Sequence, residues 1–579
     1  LGKSVIMDKI VILVGANNTG KSAVLKAYEI ALRSGEKAAE LDIEDFPHHY
    51  QPRLDEEHLF PEIILETVVT DETKPADKWI LKDNDTKELY VRERWRWSEP
   101  GRAAHVGFNA EIDRWADKEE EKVPWGCNGV AKPKRPEPLR LSPFDSPDKM
   151  AETLTKLLRN PFKEQVCQSD TSAWANLVDL YKKLLDAASV ETKIVLKTMT
   201  DIVRQIFPEH EVRMRPPHDV DLNQSILELL PSISPKLCLG FGDHFSPLEK
   251  QGSGAQRMLM WAALRATAET KQLNKGKDKD KEPSQTKSYL LLIDEPELCL
   301  HPTAVRQACK ILQEMASLPN WQLMITTHSP VFVDLRADNT SIVRVDRDET
   351  SNSYTGTTIY RSANAKLDHD DIENLTMLTA FDPYVAEFFF SKSIIVVEGD
   401  TEYVAFQTTM SLLGEEQYND VHIIRARGKP CVPTICKILN QFQKPYSVLH
   451  DSDAPKRIDK KTGKQVDNGR WTDNKNIANV ASPRARVVAM VPNFERAMRR
   501  LIKSDDKKKP YEVYKELKSE GGKELLSRMK VLLDFLLHKS DTVPEFCVAW
   551  HGIEKLEEAY SQAAPAYSRL DQQGNLFPD

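Results

Sequence analysis

The sequence predicts an α/β protein with two α/β domains and a helical insertion in the first of them. Three observations support this fold class. Short hydrophobic runs rich in β-branched residues lead into glycine-rich or acidic turns that open helical patterns. Helical periodicity dominates residues 148–207. The 579 residues exceed what one ordinary hydrophobic core organises, so more than one domain is expected.

The composition is that of a globular protein. Apolar residues make up 40% and charged residues 29% of the chain, which is typical of neither membrane nor disordered proteins. We recognise no signal peptide and no apolar run of the roughly 20 residues that cross a bilayer, and the eight cysteines form no CxxC pair. We therefore expect a cytoplasmic protein with reduced thiols and no membrane partner. The net charge of −8 argues against a uniformly basic DNA-coating protein but allows local basic strips.

Changes in pattern along the chain predict four segments. The first α/β domain is expected in two parts, residues 1–147 and 236–388, which flank the helical insertion at 148–235. The hydrophobic run SIIVVEG opens the second domain, residues 389–579. Because the chain starts at Leu1 and reaches its first glycine-rich turn early, we also expect that a short N-terminal stretch is missing from this sequence.

The first glycine-rich turn, GANNTGKS at residues 15–22, matches a phosphate-binding loop. Glycines let consecutive backbone N–H groups surround phosphate oxygens, and the helix N-terminus adds the positive end of its dipole. The lysine would reach the β- and γ-phosphates and the serine would bind Mg²⁺. The alternative, a chance glycine-rich turn, is disfavoured by the strand before it and the helix after it. The candidate nucleotide-binding residues are Gly15, Asn17, Asn18, Thr19, Gly20, Lys21 and Ser22.

Three further motifs predict the rest of an ABC-type ATPase. The strand LLLIDEPE presents Asp294 to the metal side of the nucleotide and Glu295 to the attacking water. A structural role for two adjacent buried carboxylates without a cation would be costly. His328 in TTHSP resembles the switch histidine that contacts the γ-phosphate. Ser253 and Gly254 in QGSGAQR resemble a degenerate signature motif, which binds the nucleotide of a partner subunit, so dimerisation would complete the ATP site.

Acidic residues at predicted strand ends form a second candidate site. Glu398 ends the strand IIVV, and Glu402 follows in the first turn of the next helix. Asp451 and Asp453 end the strand of SVLHDSD, and Glu495 follows a third strand. Such oxygen ligands suit Mg²⁺ or Mn²⁺, which could activate water and stabilise the leaving oxygen of a phosphodiester. The alternative is that these acids are ordinary turn and cap residues.

Basic clusters neighbour the acidic motifs in sequence. They are RARGK (425–429), RRLIK (499–503) and KKKP (507–510). Each could hold a DNA backbone through sequence-independent contacts, or could be a solvated surface.

With these motifs in order, the chain resembles the OLD (overcoming lysogenization defect) family of ATP-dependent nucleases, including the Gabija-type large subunit. The resemblance rests on GANNTGKS, QGSGAQR, IDEPE, LHP, TTHSP, VVEGDTE, HDSD and NFE. It implies an ABC-type ATPase, with a mixed sheet and a helical dimerisation insertion, followed by a Rossmann-like Toprim domain. It also implies a divalent-metal nuclease acting on DNA, assembled as a dimer or higher oligomer.

Further expectations come from the resemblance alone. Lys539 matches a late lysine that would stabilise phosphate charge in the transition state. Gly428 matches a glycine at the end of the intervening strand. Related systems serve in defence against phage, some with a UvrD-like helicase or a reverse transcriptase as partner. The "I-x-N-F-R"-like segment that precedes the phosphate loop in the family is not found in this sequence.

Two other functions stay open on the sequence. The chain could be an SMC/RecF-like, ATP-switched DNA-binding repair protein with an inactive Toprim domain, although its acidic set is intact. Strand passage as in topoisomerases would require a nucleophilic tyrosine, and no context singles one out.

Overall fold

A computed structural model describes residues 8–571 except for 54, 85–86, 117–122, 143–194, 216–235, 276–287, 347–356, 383–384, 443–444, 459–463 and 499–507. The chain divides into two compact units. One comprises residues 1–7, 12–19 and 328–579, and the other comprises residues 8–11 and 20–327.

The strands, in chain order, are β1 (Ile10–Val14), β2 (Glu62–Val68), β3 (Ile80–Lys82), β4 (Leu89–Arg96), β5 (Ala104–Asn109), β6 (Arg114–Trp115), β7 (Glu137–Leu141), β8 (Glu211–Arg215), β9 (Lys236–Phe241), β10 (His244–Pro247), β11 (Tyr289–Asp294), β12 (Trp321–Thr326), β13 (Thr340–Val345), β14 (Thr357–Tyr360), β15 (Ser393–Val397), β16 (Val421–Arg425), β17 (Ser447–Asp451), β18 (Lys456–Ile458), β19 (Gln465–Asp467), β20 (Arg486–Met490) and β21 (Val548–Ala549).

The α-helices are α1 (Lys21–Leu32), α2 (Asn128–Ala131), α3 (Ser253–Lys275), α4 (Pro302–Ala316), α5 (Ser362–Ala365), α6 (His369–Phe381), α7 (Asp400–Leu413), α8 (Cys431–Asn440), α9 (Gly469–Val480), α10 (Phe494–Ala497), α11 (Lys509–Leu517), α12 (Lys523–Leu536) and α13 (Ile553–Asp571).

In the unit that contains residues 20–327, β7, β11 and β12 run parallel, with β11 in the middle. The continuous hydrophobic run of β11 is buried, as expected for a strand covered on both faces. His301 caps α4 with its side chain, and the apolar side of α4 is buried. These elements carry the acidic motif at the end of β11.

An antiparallel layer of β2, β4, β5 and β6, with β3 beside β4, lies in the same unit. Burial alternates along β4: Val91 and Trp95 are buried in the core, whereas Arg92 and Arg94 are half-buried. Glu93 is also buried on this inner side, where it pairs with Arg135.

In the other unit, the C-terminal sheet has the order β16-β15-β17-β20-β21. The first four of these strands are parallel, and β21 runs antiparallel to β20. Their inward residues join α7, α11 and α12 in one hydrophobic core. Because parallel strands end at the same edge, the turns after β15, β17 and β20 meet there, as in other open α/β sheets.

The mixture of parallel and antiparallel sheets confirms the predicted α/β class. The helical insertion predicted at 148–235 falls mostly outside the described residues, and the four segment boundaries stay predictions. Among the described helices, none combines the length and the apolar composition that crossing a bilayer requires.

Candidate nucleotide and carboxylate sites

The phosphate-loop motif joins β1 to α1 as predicted. Gly15 has a φ of 138°, and a Cβ atom there would lie 2.3 Å from the Val345 carbonyl oxygen, so only glycine fits. The Thr19 hydroxyl donates to the Ala16 carbonyl at 3.0 Å and closes the loop. Asn17 and Asn18 lie exposed at the tip.

Lys21 and Ser22 begin α1 immediately after Gly20, whose φ is 87°. Lys21 is buried, whereas Ser22 is exposed and its hydroxyl donates to Asp294 Oδ1 at 2.9 Å. The two predicted Mg²⁺ ligands of the nucleotide site are therefore hydrogen-bonded neighbours.

The end of β11 holds the acidic pair in two different environments. Asp294 is buried, accepts a hydrogen bond from the Thr326 hydroxyl and lies 3.8 Å from an Arg140 guanidinium nitrogen. Glu295 is half-buried and has a φ of 47°, and its backbone N–H donates to the Thr326 carbonyl at 3.0 Å. The left-handed turn separates the neighbouring carboxylates, which fits one metal-side and one water-side residue.

The signature-like motif lies at the start of α3. Ser253 is the exposed first residue of this helix, and the N-terminus of a helix is a favourable place for an anion. A Cβ atom on Gly254 would lie 2.9 Å from the Cys299 carbonyl oxygen, so this segment packs closely on the loop after β11. Arg257 donates to the Glu295 carbonyl at 3.3 Å. His328, in the other unit, follows β12 and packs its ring at 5.8 Å from that of Phe390.

The C-terminal sheet brings the predicted acidic residues to one edge. Glu398 follows β15, and its Oε2 accepts from the Asp451 backbone N–H at 3.1 Å. Asp451 ends β17, and its Oδ1 accepts from the Phe494 N–H at 2.8 Å, at the start of α10. Glu402 is buried in the first turn of α7 and accepts from the Gly399 N–H at 3.1 Å. Backbone donors from three separate turns therefore fix these carboxylates.

Burial and mutual repulsion act on the same carboxylates. Burial raises the pKa of Glu398. Burial, with repulsion from Glu398 and Glu495, raises the pKa of Glu402 to about 7. The pKa of Asp451 lies well above its usual range because of burial, to which Glu398, Glu402 and Glu495 add. Full ionisation of Glu398, Glu402 and Asp451 together is therefore unfavourable.

Asp453 is held differently. It has a φ of 57°, its N–H donates to the Pro492 carbonyl at 2.9 Å, and its carboxylate accepts from the buried ammonium of Lys429. Sequence reasoning missed Lys429 in this role, because RARGK was interpreted only as a basic cluster. The two arginines of that cluster form ion pairs. Arg425 lies 3.1 Å from Asp382 and 3.3 Å from Asp400, and Arg427 lies 3.5 Å from Asp400.

Other residues that sequence reasoning missed bond to the backbone carbonyls of Asp451 and Ser452, at the end of β17. The Trp550 indole N–H donates to His450 Nε2 at 3.1 Å, so Nδ1 carries the ring proton and donates to the Asp451 carbonyl at 2.8 Å. The Asn474 amide donates to the Ser452 carbonyl at 2.8 Å. The signal in the sequence was weak, since buried His, Trp and Asn residues are common outside functional sites.

The structure does not bring Lys539 to the carboxylates. Its ammonium donates to Gln417 Oε1 at 2.8 Å and lies 4.6 Å from the centre of the Tyr418 ring. Gln417 and Tyr418 precede β16, at the amino-terminal edge of the sheet, whereas the carboxylates follow the carboxyl ends. The predicted contact of Lys539 with a phosphate is therefore not supported, because α12 ends at Leu536 and returns the chain to the opposite edge.

The donor set fits a divalent cation. The carboxylate oxygens are hard ligands, and a bound cation would offset the burial and mutual repulsion that raise the pKa values of Glu398, Glu402 and Asp451. In the described part of the chain, no three of these carboxylates bring ligand oxygens within 4.8 Å of one another, so cation binding would require side-chain rotation. The three groups that do meet this distance, His369, Asp370 and Glu373, are exposed on α6.

Two family models match the chain. An AAA ATPase domain matches residues 113–333, and the TOPRIM domain of overcoming lysogenization defect-like proteins matches residues 389–453. The second match includes Glu398, Glu402, Asp451 and Asp453.

Two curated relatives are similar to the chain. The OLD nuclease of Thermus scotoductus is 30% identical over 40% of this chain and 44% of its own length. The chain thus matches less than half of that relative. The Old nuclease of Escherichia phage P2 is 23% identical over 78% of this chain and 74% of its own length. Among solved structures, the Smc head bound to the C-winged helix domain of ScpA has a TM-score of 0.39 and 14% identity, over 62% of this chain and 94% of that one, which is too low to support a conclusion.

The phosphate loop, the acidic strand end and the carboxylate edge define an ATPase joined to a Toprim domain. Both relatives are named OLD nuclease, and the family model that matches residues 389–453 describes the TOPRIM domain of OLD-like proteins. The chain therefore carries an AAA ATPase domain and an OLD-like TOPRIM domain, and it is similar to the OLD nucleases of Thermus scotoductus and Escherichia phage P2.

Proposed function

We propose that this chain is an ATP-hydrolysing, divalent-metal-dependent DNA endonuclease that nicks or cleaves phosphodiesters. The observation that carries the proposal is the meeting of Glu398, Glu402, Asp451 and Glu495 in one electrostatic cluster at the sheet edge. Buried acids that repel one another cost folding free energy, and a cation site is the simplest function that compensates for it.

In this proposal, Mg²⁺ or Mn²⁺ bound by the carboxylates supplies water activation and stabilisation of the leaving oxygen. The chain's own residues orient the ligands. The Asp451 N–H donates to Glu398 and the Phe494 N–H donates to Asp451, and these bonds orient the two side chains near the positions that they would take after the rotation that cation binding requires. Asp453 lies on the same turn, next to Lys429.

The ATPase half would bind ATP and Mg²⁺ through Lys21, Ser22 and Asp294. Glu295 would orient the attacking water, and His328 would contact the γ-phosphate. The exposed start of α3, with Ser253 and Gly254, would contact the nucleotide of a second copy of the chain. ATP binding would then be coupled to formation of a homo-oligomer, to which the helical insertion would contribute.

DNA is the proposed substrate. Defence against phage, and a UvrD-like helicase or a reverse transcriptase as partner, are proposals that rest on the family alone. The competing hypothesis, an ATP-switched DNA-binding repair protein with an inactive Toprim domain, is less favoured because the acidic set is complete and assembled at one edge.

Nicking of supercoiled plasmid tests the proposal, with and without Mg²⁺, Mn²⁺ and ATP. We expect metal-dependent nicking that falls roughly 100–1,000-fold in Asp451→Ala. Asp420→Ala is the matched control, since this exposed aspartate precedes β16 at the other edge and pairs with Lys392. Lys21→Ala then reports how ATP regulates cleavage.

Two results would contradict the proposal. Metal-bound protein that binds plasmid without cutting it under any of these conditions would favour the inactive-Toprim hypothesis. A covalent protein–DNA adduct would instead indicate strand passage through a tyrosine.

A further inference from the structure

The geometry points to Lys429 as a positioning residue: a built-in cation that holds Asp453 and offsets the charge of the carboxylate cluster before a divalent ion binds. This inference rests on the proposed function only in taking the cluster as a metal site.

The burial of Lys429 is the first step. Its relative exposure is 1%, and lysine is almost never fully buried unless it is paired. Moving an ammonium out of water has a large free-energy cost. The chain accepts this cost at a position where the Lys429 ammonium donates to the carboxylate of Asp453. The side chain does not extend along the surface, so solvent cannot replace that partner.

The backbone around Lys429 fixes its position. Gly428 has a φ of 129°, which strongly favours glycine, and its N–H donates to the Glu398 carbonyl at 2.9 Å. The Val432 N–H donates to the Lys429 carbonyl at 3.1 Å, at the start of α8. The segment that carries the lysine is thereby attached to the turn that carries Glu398.

Lys429 lies beside more than its hydrogen-bond partner. Gly428, the residue before it, is bonded to the turn that carries Glu398, and its partner Asp453 lies two residues after Asp451. Other cations lie at the margin of the cluster: Arg470 is exposed, and Lys509 reaches Glu495 at 3.5 Å. Lys429 is the fully buried one among them. Without it, Asp453 would face Glu398 with no buried countercharge.

Thermal unfolding of the full chain tests this role in EDTA and in saturating Mn²⁺, without nucleotide. We expect Lys429→Met to lower the unfolding temperature by roughly 5–10 °C in EDTA and by less than half as much in Mn²⁺. Asp453→Asn approaches the same pair from the other side, should Lys429→Met fail to fold. In the double variant Lys429→Met/Asp453→Asn, the loss in EDTA should be clearly smaller than the sum of the two single losses.

Lys437→Met is the matched control. Lys437 lies on α8, pairs with Asp368 and Asp371, and is outside the cluster, so its loss should be the same with and without Mn²⁺. Lys429→Arg, which keeps the charge, should recover part of the stability lost in Lys429→Met.

A Lys429→Met loss that Mn²⁺ leaves unchanged, or single losses that simply add in the double variant, would overturn the inference and leave only a packing role. Wild-type plasmid nicking is measured on the same preparations. If the wild type does not nick but the loss in the double variant is smaller than the sum of the single losses, the nuclease proposal fails and the role of Lys429 stands. If the wild type nicks and the single losses add, the role of Lys429 fails and the nuclease proposal stands.

Discussion

The carboxylates of the two candidate metal sites lie in opposite environments. At the ATPase site, Asp294 already accepts hydrogen bonds from the hydroxyls of Ser22 and Thr326, and Arg140 lies 3.8 Å away. At the C-terminal edge, burial and neighbouring acids raise the pKa values of Glu402 and Asp451.

The difference follows from what each site binds. A nucleotide brings its own negative charge, so the protein supplies N–H groups, hydroxyls and a lysine. A cation brings positive charge, so the protein supplies carboxylates and bears their repulsion until the ion binds. We therefore expect metal removal to weaken the carboxylate edge and to leave the fold of the ATPase site largely unchanged.

The largest expected effect separates the two sites by activity. Lys21→Ala should lower ATP hydrolysis by roughly 100–1,000-fold, because it removes a fixed positive charge from the phosphates. Mn²⁺ binding at the carboxylate edge should stay unchanged, as measured by calorimetric titration without nucleotide. Lys26→Ala is the matched control, since Lys26 lies on the same helix, is exposed and pairs with Asp45. Equal loss of hydrolysis in both variants would show that the phosphate loop is not the ATPase site.

The next effect is a pH dependence confined to the carboxylate edge. The pKa of Glu402 is raised to about 7 in the folded protein, from 4.5. The folded protein therefore binds this proton more tightly than the unfolded chain does. The resulting contribution to the free energy of unfolding is present in full below pH 4.5 and is lost as the pH rises through about 7. The loss corresponds to about 3 kcal/mol of the free energy of unfolding.

Comparison of Glu402→Gln with the wild type isolates this effect. In EDTA, the stability of the wild type relative to Glu402→Gln should fall between pH 5 and pH 8, as measured by urea unfolding. Mn²⁺ should flatten the difference, because the ion takes over the role of the proton. Parallel pH profiles in EDTA would show that Glu402 carries no unfavourable charge.

The ATPase motifs were predictable because they are local. Residues 15–22 form one contiguous turn, and its glycine positions follow directly from steric limits on φ. The acidic residues were predictable as far as strand ends could be recognised, since parallel strands deliver their ends to one edge. The structure brings Glu398, Asp451 and Glu495 together as that rule requires.

Long-range pairing was not predictable in the same way. Lys429 and Asp453 are 24 residues apart, and a lysine in RARGK gives no sign of whether it will be buried. The position of Lys539 beside Gln417 was not predictable for a related reason: a short motif does not show to which edge the preceding helix returns the chain. Residue type and position therefore sufficed to predict the acidic residues, whereas the importance of Lys429 became clear only from its burial in the structure.

The smallest expected effect concerns the neutral groups behind the carboxylates. Trp550→Phe removes the N–H that donates to His450 Nε2 and leaves a buried acceptor without its partner. Loss of such a partner costs about 1–2 kcal/mol, seen as a lower urea midpoint. Trp471→Phe is the control for lost ring volume, because Trp471 packs edge-on against Tyr560 in the same unit.

Since His450 also holds the Asp451 carbonyl, Trp550→Phe should weaken Mn²⁺ binding up to about 10-fold, whereas Trp471→Phe should not. Unchanged Mn²⁺ affinity in Trp550→Phe would confine this network to packing, and the carboxylate edge would then depend on charge alone.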